Sequence, residues 1–549
     1  MKKLIFLKLF LCYFCTIYAQ ETGNFYGGLE SNSQWLQTDE GINFLAPEDQ
    51  FRANNYVLVN YNLGKFTAGM QFESYLPSAL LGYDEIFNNQ NGVATYYVNY
   101  KDDNVDITGG YFYEQFGSGL ILRSWEDRQL GLNNALKGLN IKVNLTKDIG
   151  LKAVFGKQRF GFEESEGTIQ GLDAQINLSS ALKVEKVDIQ MGLSYVGRNQ
   201  DTNGVEAIPT NVGAYGARLD FIIGDFYAGA EAITKDPDVI VNERVIPSNK
   251  LYDGTALQVN VGYAKKGIGV NGTFRRLENF SFFSDRLAEG NIFNQQVVNY
   301  VPGLTKQQDY LLTNIYVYNP QPRLIIESFD QRAGEVGGQI DFFYTFKKGT
   351  GLGGKFGTKL SANFSYWGGL DAEYNIENRW YKAKFIGQGR QLFRDFNLEI
   401  KKKWSKNWNS AFTFQNVIID KGIVEGGPLG DKTFNANIAV IEATRSFDKG
   451  RAARFVAQHL WSEDDRKNWV AGVIEYNFST SLNVYVADNW NYEGFNKIHY
   501  YSVGGSYSKG NTRLGLNYGR QRGGLICIGG VCRFVPENTG LSANLTVAF

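Results

Sequence analysis

Cys527 and Cys532 are the residues whose type and spacing most plainly allow chemistry. They stand in Gly523-Gly524-Leu525-Ile526-Cys527-Ile528-Gly529-Gly530-Val531-Cys532, with four residues between them and a glycine pair that permits a tight reversal. The simple reading is a disulfide that clips an external loop. A ring this short stabilises by about 2 kcal/mol in the chain-entropy model. A zinc site is one alternative, but it needs two further ligands, and the two histidines, His459 and His499, lie far off in sequence. A redox-active pair is another, and it usually has two intervening residues rather than four.

The second concentration of reactive groups is Tyr111–Leu130, YFYEQFGSGLILRSWEDRQL. It carries Glu114, Gln115, Arg123, Glu126, Asp127 and Arg128. Acid and base at this density suit an ion-pair network across an enclosed space, and they also suit the lining of a solute path. The structural reading is preferred. Nucleophilic catalysis needs a base beside a hydroxyl or thiol. His459, in Ala457-Gln458-His459-Leu460-Trp461, and His499, in Lys497-Ile498-His499-Tyr500, read better as hydrogen-bonding residues of a rim or lumen. Gly349–Gly354 resembles a phosphate loop in composition only, because no helix follows it. No catalytic residue, cofactor-binding residue or metal ligand is expected, and the chain does not read as an enzyme.

The elements that position these groups are strands. Leu541, Ala543, Leu545, Val547 and Phe549 alternate with Ser542, Asn544, Thr546 and Ala548. Side chains in a strand alternate between two faces, so one face is apolar and the other small or polar. The same period recurs over Val57–Leu63, Phe66–Glu73, Tyr501–Ser508 and Arg513–Gly519. The segments commonly run to about 10–13 residues, longer than the 5–6 usual in soluble sheets and close to a tilted membrane strand. Tyr, Trp and Phe gather near segment ends, as interfacial girdles require. Trp404 and Trp408 flank one turn and read as interfacial anchors. Phe549, on the apolar face of the last strand, resembles the terminal aromatic that signals barrel assembly.

Composition agrees with strands. Glycine is 62 of 549, Tyr 32, Phe 39 and proline only 10. Lys+Arg and Asp+Glu are 56 each, which excludes a nucleic-acid binder held by bulk charge. Met1–Gln20 has Lys2-Lys3 before an apolar stretch and Ala19 at its end, the pattern of a secretory signal peptide. Beyond it no run of about 18 apolar residues marks a transmembrane helix. The expectation is that 21–549 forms a single outer-membrane domain, with neither a soluble plug domain before it nor a peptidoglycan-binding domain after it.

Eleven short turns, most carrying lysine, alternate with twelve longer connections, many of them acidic. The acidic ones include Asp39-Glu40, Asp84-Glu85, Glu126-Asp127, Glu163–Glu166 and Glu463–Asp465. That spacing predicts a transmembrane antiparallel up-and-down β-barrel of about 24 strands (about 22–26), with both termini on the short-turn, periplasmic side. Arg379–Trp404 has to be read as one strand with its loop. The acidic loops read first as solvated turns; divalent-cation bridges to outer-leaflet lipid are the alternative. The longest connection, 281–333, has no obvious membrane strand and holds Phe282-Phe283, Tyr310-Leu311-Leu312 and Ile315–Tyr318. A barrel this wide would leak unless obstructed, so the loop is expected to fold inward as a plug or to pack outward against a partner.

Tyr113-Glu114-Gln115-Phe116-Gly117-Ser118-Gly119-Leu120 with Arg123, Val301-Pro302-Gly303-Leu304-Thr305-Lys306-Gln307-Gln308, and Cys527…Cys532-Arg533-Phe534-Val535-Pro536 carry a resemblance. On these pieces the chain resembles an uncharacterised, domain-of-unknown-function family of large outer-membrane β-barrels of Bacteroidota. A signal peptide ending Tyr-Ala-Gln fits the same bacteria. The resemblance implies a barrel and an outer-membrane location and brings no catalytic residues. The expected function is a non-enzymatic subunit of an outer-membrane export, assembly or surface complex; the alternative is a passive pore or transporter for hydrophilic solutes. Expected partners are outer-membrane lipid and lipopolysaccharide, the barrel-assembly machinery during biogenesis, and other outer-membrane proteins or lipoproteins, with no nucleic acid.

Overall fold

The computed structural model describes residues 23–549 apart from positions 84, 203, 206, 243–244, 289–290, 292–294, 426–432, 495 and 529–530. The expected signal peptide, Met1–Gln20, lies outside the described residues. Twenty-four strands form one antiparallel sheet that closes on itself. Each barrel strand pairs with the next along the chain, so the topology is up-and-down as the turn spacing predicts. Gly28–Gln37 of the first strand, Asn24–Gln37, pairs with Thr539–Ala548 of the last, Asn538–Ala548. Phe549 extends the seam with reciprocal backbone hydrogen bonds to Gly27 of 2.8 and 3.0 Å. Closure pairs every strand edge, the condition for crossing a bilayer with sheet.

Alternation in sequence becomes two distinct surfaces. Phe455, Ile474, Val486, Val503, Tyr518, Leu541 and Trp35 lie directly opposite one another across six successive strand pairs. All seven are on the outer face, and all but Tyr518 are strongly exposed. A soluble protein does not expose so continuous an apolar row, whereas a membrane barrel must. On the inner face of the same strands stand Arg454, Gln458, Asn489, Ser502, Asn517 and Ser542.

The eleven short turns all join barrel strands at one end. In one of the tightest, Gly64-Lys65 between Phe51–Leu63 and Phe66–Ser74, Gly64 has φ +55, a conformation glycine adopts without steric cost. Trp404 and Trp408 flank the turn between Gln391–Lys403 and Trp408–Asp420 and are exposed there. Lys402 lies 4.6 Å from the Trp404 ring and Arg445 5.3 Å from that of Trp408.

One reading of the connections needs correction, and another gains detail. Glu163–Glu166 is no long acidic loop. Glu163 begins the strand Glu163–Asn177, and only Gly161-Phe162 separates it from Ile149–Phe160. Alternating glutamates here are the solvent-reaching end of a strand, which charge alone does not distinguish from a loop. In Arg379–Trp404, the strand Gln391–Lys403 is preceded by Trp380–Ala383, which pairs with Ala372–Asn375 as a separate ribbon outside the barrel sheet. The long connection lies between Ile268–Glu278 and Gly334–Phe346, and the only strands among its described residues are Ile325–Ile326 and Gln331–Arg332, paired as a short ribbon.

Candidate functional site

The lumen is occupied by the chain itself. Two insertions enter it, residues 113–135 and 279–333, and the inward faces of the strands supply their partners. The polar side chains on those faces need internal hydrogen bonds once water is displaced.

The first insertion follows Val105–Phe112 and consists of two short ribbons, Gln115–Phe116 with Leu122–Arg123 and Glu126–Asp127 with Leu132–Asn133. The candidate network of charges therefore sits on an in-folded segment, not on the inward face of a strand. Glu114 is buried and meets Lys142 at 2.8 Å, Lys152 at 2.9 Å and Asn140 at 3.0 Å, all from strand walls. Arg128 reaches Glu30 at 2.6 Å and Gln71 at 3.1 Å on two other strands, Glu126 at 3.1 Å within its own segment, and stacks 4.5 Å from the Tyr56 ring. Glu126 also accepts from Gln71 at 3.1 Å. Three members do something different. Gln115 donates to the Gly117 carbonyl, Asp127 accepts from the backbone of Gln129 and Leu130, and Arg123 stacks on Tyr300 and Trp125 at 4.1 and 4.9 Å.

Burial works against ionisation of Glu114, but hydrogen bonds from Lys142 and Lys152 outweigh it and hold the carboxyl below its usual 4.5. Asp39 behaves likewise: burial opposes, while Arg520 (a bidentate pair at 2.6 and 2.8 Å) and Thr539 prevail and hold it below 3.8. A depressed carboxyl contributes stability that is fully present above its unfolded value and is lost as pH falls through the folded one. Hydrogen-exchange protection of residues 113–135 is therefore expected to fall as the pH drops below about 4.5, toward the folded value of Glu114. Glu114→Gln should lower that protection at pH 6 and flatten its pH dependence. An unchanged profile in the variant would remove Glu114 as the cause.

The second insertion spans the width of the barrel. Its Ser281 and Phe283 carbonyls accept from Lys235 at 2.7 Å and Arg198 at 3.0 Å; Pro302 accepts from Arg275 at 2.7 Å and Leu304 from Trp367 at 3.0 Å. Leu312 N–H donates to Gln458 at 3.0 Å and Tyr310 OH to Glu442 at 3.2 Å. One segment that meets inward side chains from Gln158 round to Gln458 lies inside the ring those strands form. It also builds cores there. Phe280, Phe282 and Val298 pack with Phe116, Ile121 and Ile169; Leu312, Ile315, Tyr316 and Tyr318 pack with Trp367, Phe393 and Ile438.

Sequence reasoning missed the arginines that pin this segment. Arg275 and Glu335 are fully buried and paired at 2.7 Å, and Glu335 also accepts from Tyr318 OH and from Gln321 N–H at 2.7 Å. Asp238 bridges Arg198 and Arg286 at 2.8 and 2.9 Å. Arg159 pairs with Glu73 at 2.6 Å, both buried. The available signal was an arginine at an inward strand position, as Arg275 is in Ile268–Glu278.

Cys527 and Cys532 form the expected disulfide across the hairpin Gly524–Ile528/Val531–Val535. The bonded pair is buried against Val317 of the second insertion, and Gln307 donates to the Cys527 carbonyl at 3.0 Å. The hairpin separates two cavities. One of about 840 Å³ lies between the insertion and the strand wall Ala452–Ala548, and another of about 420 Å³ lies against the first insertion. His459 meets Tyr492 OH at 3.0 Å and His499 meets Asp488 at 2.7 Å. Gly349–Gly354 is part of the turn between Gly334–Phe346 and Thr358–Gly369. No group of three His, Cys, Asp or Glu side chains among the described residues is placed to hold a metal.

Similar folds were found among solved structures. The P pilus usher PapC translocation pore is 7 % identical, with 96 % of this chain and 99 % of that chain covered and a TM-score of 0.44. The siderophore receptor PirA from Pseudomonas aeruginosa is 7 % identical, with 96 % and 81 % covered and a TM-score of 0.41. OccAB1 of Acinetobacter baumannii is 11 % identical, with 78 % and 100 % covered and a TM-score of 0.39. These likenesses bring no substrate or partner to this chain. No curated protein matches the sequence. A family model matches residues 1–549, and the chain, a large barrel of the outer-membrane type, belongs to that family of unknown function, DUF6029.

Proposed function

We propose that the protein is a non-enzymatic barrel of the Gram-negative outer membrane that serves as a subunit of an export, assembly or surface complex, with its lumen closed at rest. The observation that carries this reading is the second insertion, which packs apolar cores of its own inside the barrel. A passive pore needs a standing aqueous path. A lumen filled by packed side chains opens only if something supplies the free energy to displace them, and a bound partner can do so. In this reading the short-turn end and both termini face the periplasm, and the outer rim contacts lipopolysaccharide.

A second reading, a pore for hydrophilic solutes, is favoured by the 840 Å³ cavity and its amide and hydroxyl lining. Mild-detergent isolation of the tagged protein from its native membrane, followed by planar-bilayer recording, separates the two. Stoichiometric partners with a silent barrel are expected. An isolated barrel with steady conductance would replace the first reading by the second.

A further inference from the structure

Four neighbouring strands carry one row of oxygen-bearing side chains on the inner wall. Asp341 lies opposite Asn363, Asn363 opposite Asn397, and Asn397 opposite Gln415, on Gly334–Phe346, Thr358–Gly369, Gln391–Lys403 and Trp408–Asp420 in turn. Opposite residues of neighbouring strands have Cβ atoms about 5 Å apart. Asp395, two positions before Asn397, faces the same way. Their chain neighbours Ile340, Phe364 and Phe396 point outward and are exposed, so the row faces the lumen. The nitrogens around the two carboxylates are engaged. Asn363 and Gln339 each donate to Asp341 at 2.9 Å, and Asn397 donates to Asp395. Those bonds fix which end of the Asn363 and Asn397 amides is oxygen, because reversing either would set oxygen against a carboxylate.

The oxygens are another matter. Asn363 Oδ1, Asn397 Oδ1 and Gln415 Oε1 accept no hydrogen bond from a described residue, although the three side chains are only 4, 2 and 3 % exposed. Buried acceptors are costly to leave unmatched. Asp395 is fully buried and accepts from the Ser365 hydroxyl and the Asn397 amide, but neither it nor Asp341 forms an ion pair with a described residue. Elsewhere in the lumen a cation answers the buried acid: Arg159 meets Glu73, Arg218 meets Asp173, Arg198 meets Asp238 and Arg275 meets Glu335. A buried charge is stable when it is paired or when it coordinates a metal. Two carboxylates balance a divalent ion, and neutral amide oxygens fill the rest of its shell. Calcium takes about six to eight oxygen ligands, Asn and Gln carbonyls among them, in a flexible geometry, whereas magnesium demands a near-octahedral shell and keeps several waters. This donor set differs from the groups of three acidic, thiol or imidazole side chains that the described residues lack. Asp341 and Gln339 are only half-buried, which leaves an ion a way in from the lumen.

We propose that this row binds one calcium ion, with Asp341 and Asp395 supplying the charge and the side-chain oxygens of Asn363, Asn397 and Gln415 completing the shell. Binding here requires neither conduction nor a protein partner, so it stands or falls apart from the reading of function above.

The test is calorimetric titration of the full barrel, refolded without lipopolysaccharide in detergent micelles and stripped of metal with EGTA. Calcium chloride is compared with magnesium chloride at constant ionic strength. Calcium should bind saturably, and at least about tenfold more tightly than magnesium. Asp395→Asn keeps the shape of the side chain and removes one charge; Asp341→Asn does the same at the half-buried end. Each should weaken calcium at least about tenfold, because affinity in oxygen-ligand sites follows the number of charged ligands. Folding of each variant is verified by mobility on unheated gels. Calcium held elsewhere on the barrel, at an acidic rim for example, would keep its affinity in both variants. No saturable heat from calcium, magnesium bound as tightly as calcium, or wild-type calcium affinity in either folded variant would overturn the proposal. If neither aspartate variant folds, Gln415→Met, which removes an uncharged oxygen, is titrated in their place; it should weaken calcium severalfold, and wild-type affinity there would overturn the proposal.

Discussion

Replacing Asn291–Pro322 by a short Gly-Ser linker should raise single-channel conductance by about an order of magnitude or more, because barrels of 16–18 strands already enclose an aqueous channel and this one has 24. The excised stretch supplies Leu312, Ile315, Tyr316 and Tyr318 to the larger luminal core, and its backbone carbonyls occupy Arg275, Trp367 and Arg522. The wall that remains is a closed sheet whose pairing does not pass through the insertion. Ile268–Glu278 and Gly334–Phe346 pair directly from Ile268↔Tyr344 to Glu278↔Gly334. The barrel should therefore assemble without the segment, and its lumen should fill with water. Conductance is read in a planar bilayer on protein whose folded state is verified by gel mobility. A folded variant with wild-type conductance would mean that the first insertion alone closes the lumen, and the plug assignment of the second would fail.

The second large effect belongs to Glu335. This carboxylate and Arg275 are both fully buried, and together they hold the second insertion at two places, through the Pro302 carbonyl on one side and Tyr318 and Gln321 on the other. Arg275 also lies 4.9 Å from the Trp367 ring. Removing one member of such a pair leaves an uncompensated charge in a dry site and costs about 3–5 kcal/mol. Replacing both with apolar residues of similar volume costs far less. Glu335→Leu is thus expected to loosen the insertion, seen as protease cleavage within 303–320 and as conductance bursts that wild-type protein lacks. Arg275→Met/Glu335→Leu should recover most of the protection. The barrel itself should persist, since each strand keeps its full ladder of backbone bonds. Protection in Glu335→Leu equal to wild type would show that the ion pair does not pin the insertion.

Strand number, topology and the inner and outer faces were legible in the residues, because each depends on local information. Period-two alternation fixes which side of a strand a residue occupies, and the turns count the strands. Leu541 and Val547 face outward and Ser542 and Asn544 inward on that basis alone, whereas the closing register of Gly28–Gln37 with Thr539–Ala548 comes from the structure. The cysteine hairpin was legible for the same reason, since five positions along the chain separate its sulfurs. Charge density was a poorer guide. It marked Glu114 and Arg128 but read Glu163–Glu166 as a loop, because a strand leaving the membrane and a solvated turn have the same composition.

What the sequence by itself determined, then, was a closed membrane-type barrel with one long connection rich in apolar residues. Only the tertiary structure decided that this connection and the 113–135 insertion fill the lumen, and which cation meets which acid there. The physical reason is separation along the chain. Arg128 finds Glu30 at a distance of 98 residues and Arg520 finds Asp39 at 481. Such pairs form only after the sheet has curled through all its strands and brought distant inward positions within reach. No local period carries that information, so Arg159, Arg198 and Arg275 go unmarked in the sequence until the folded sheet sets Glu73, Asp238 and Glu335 beside them.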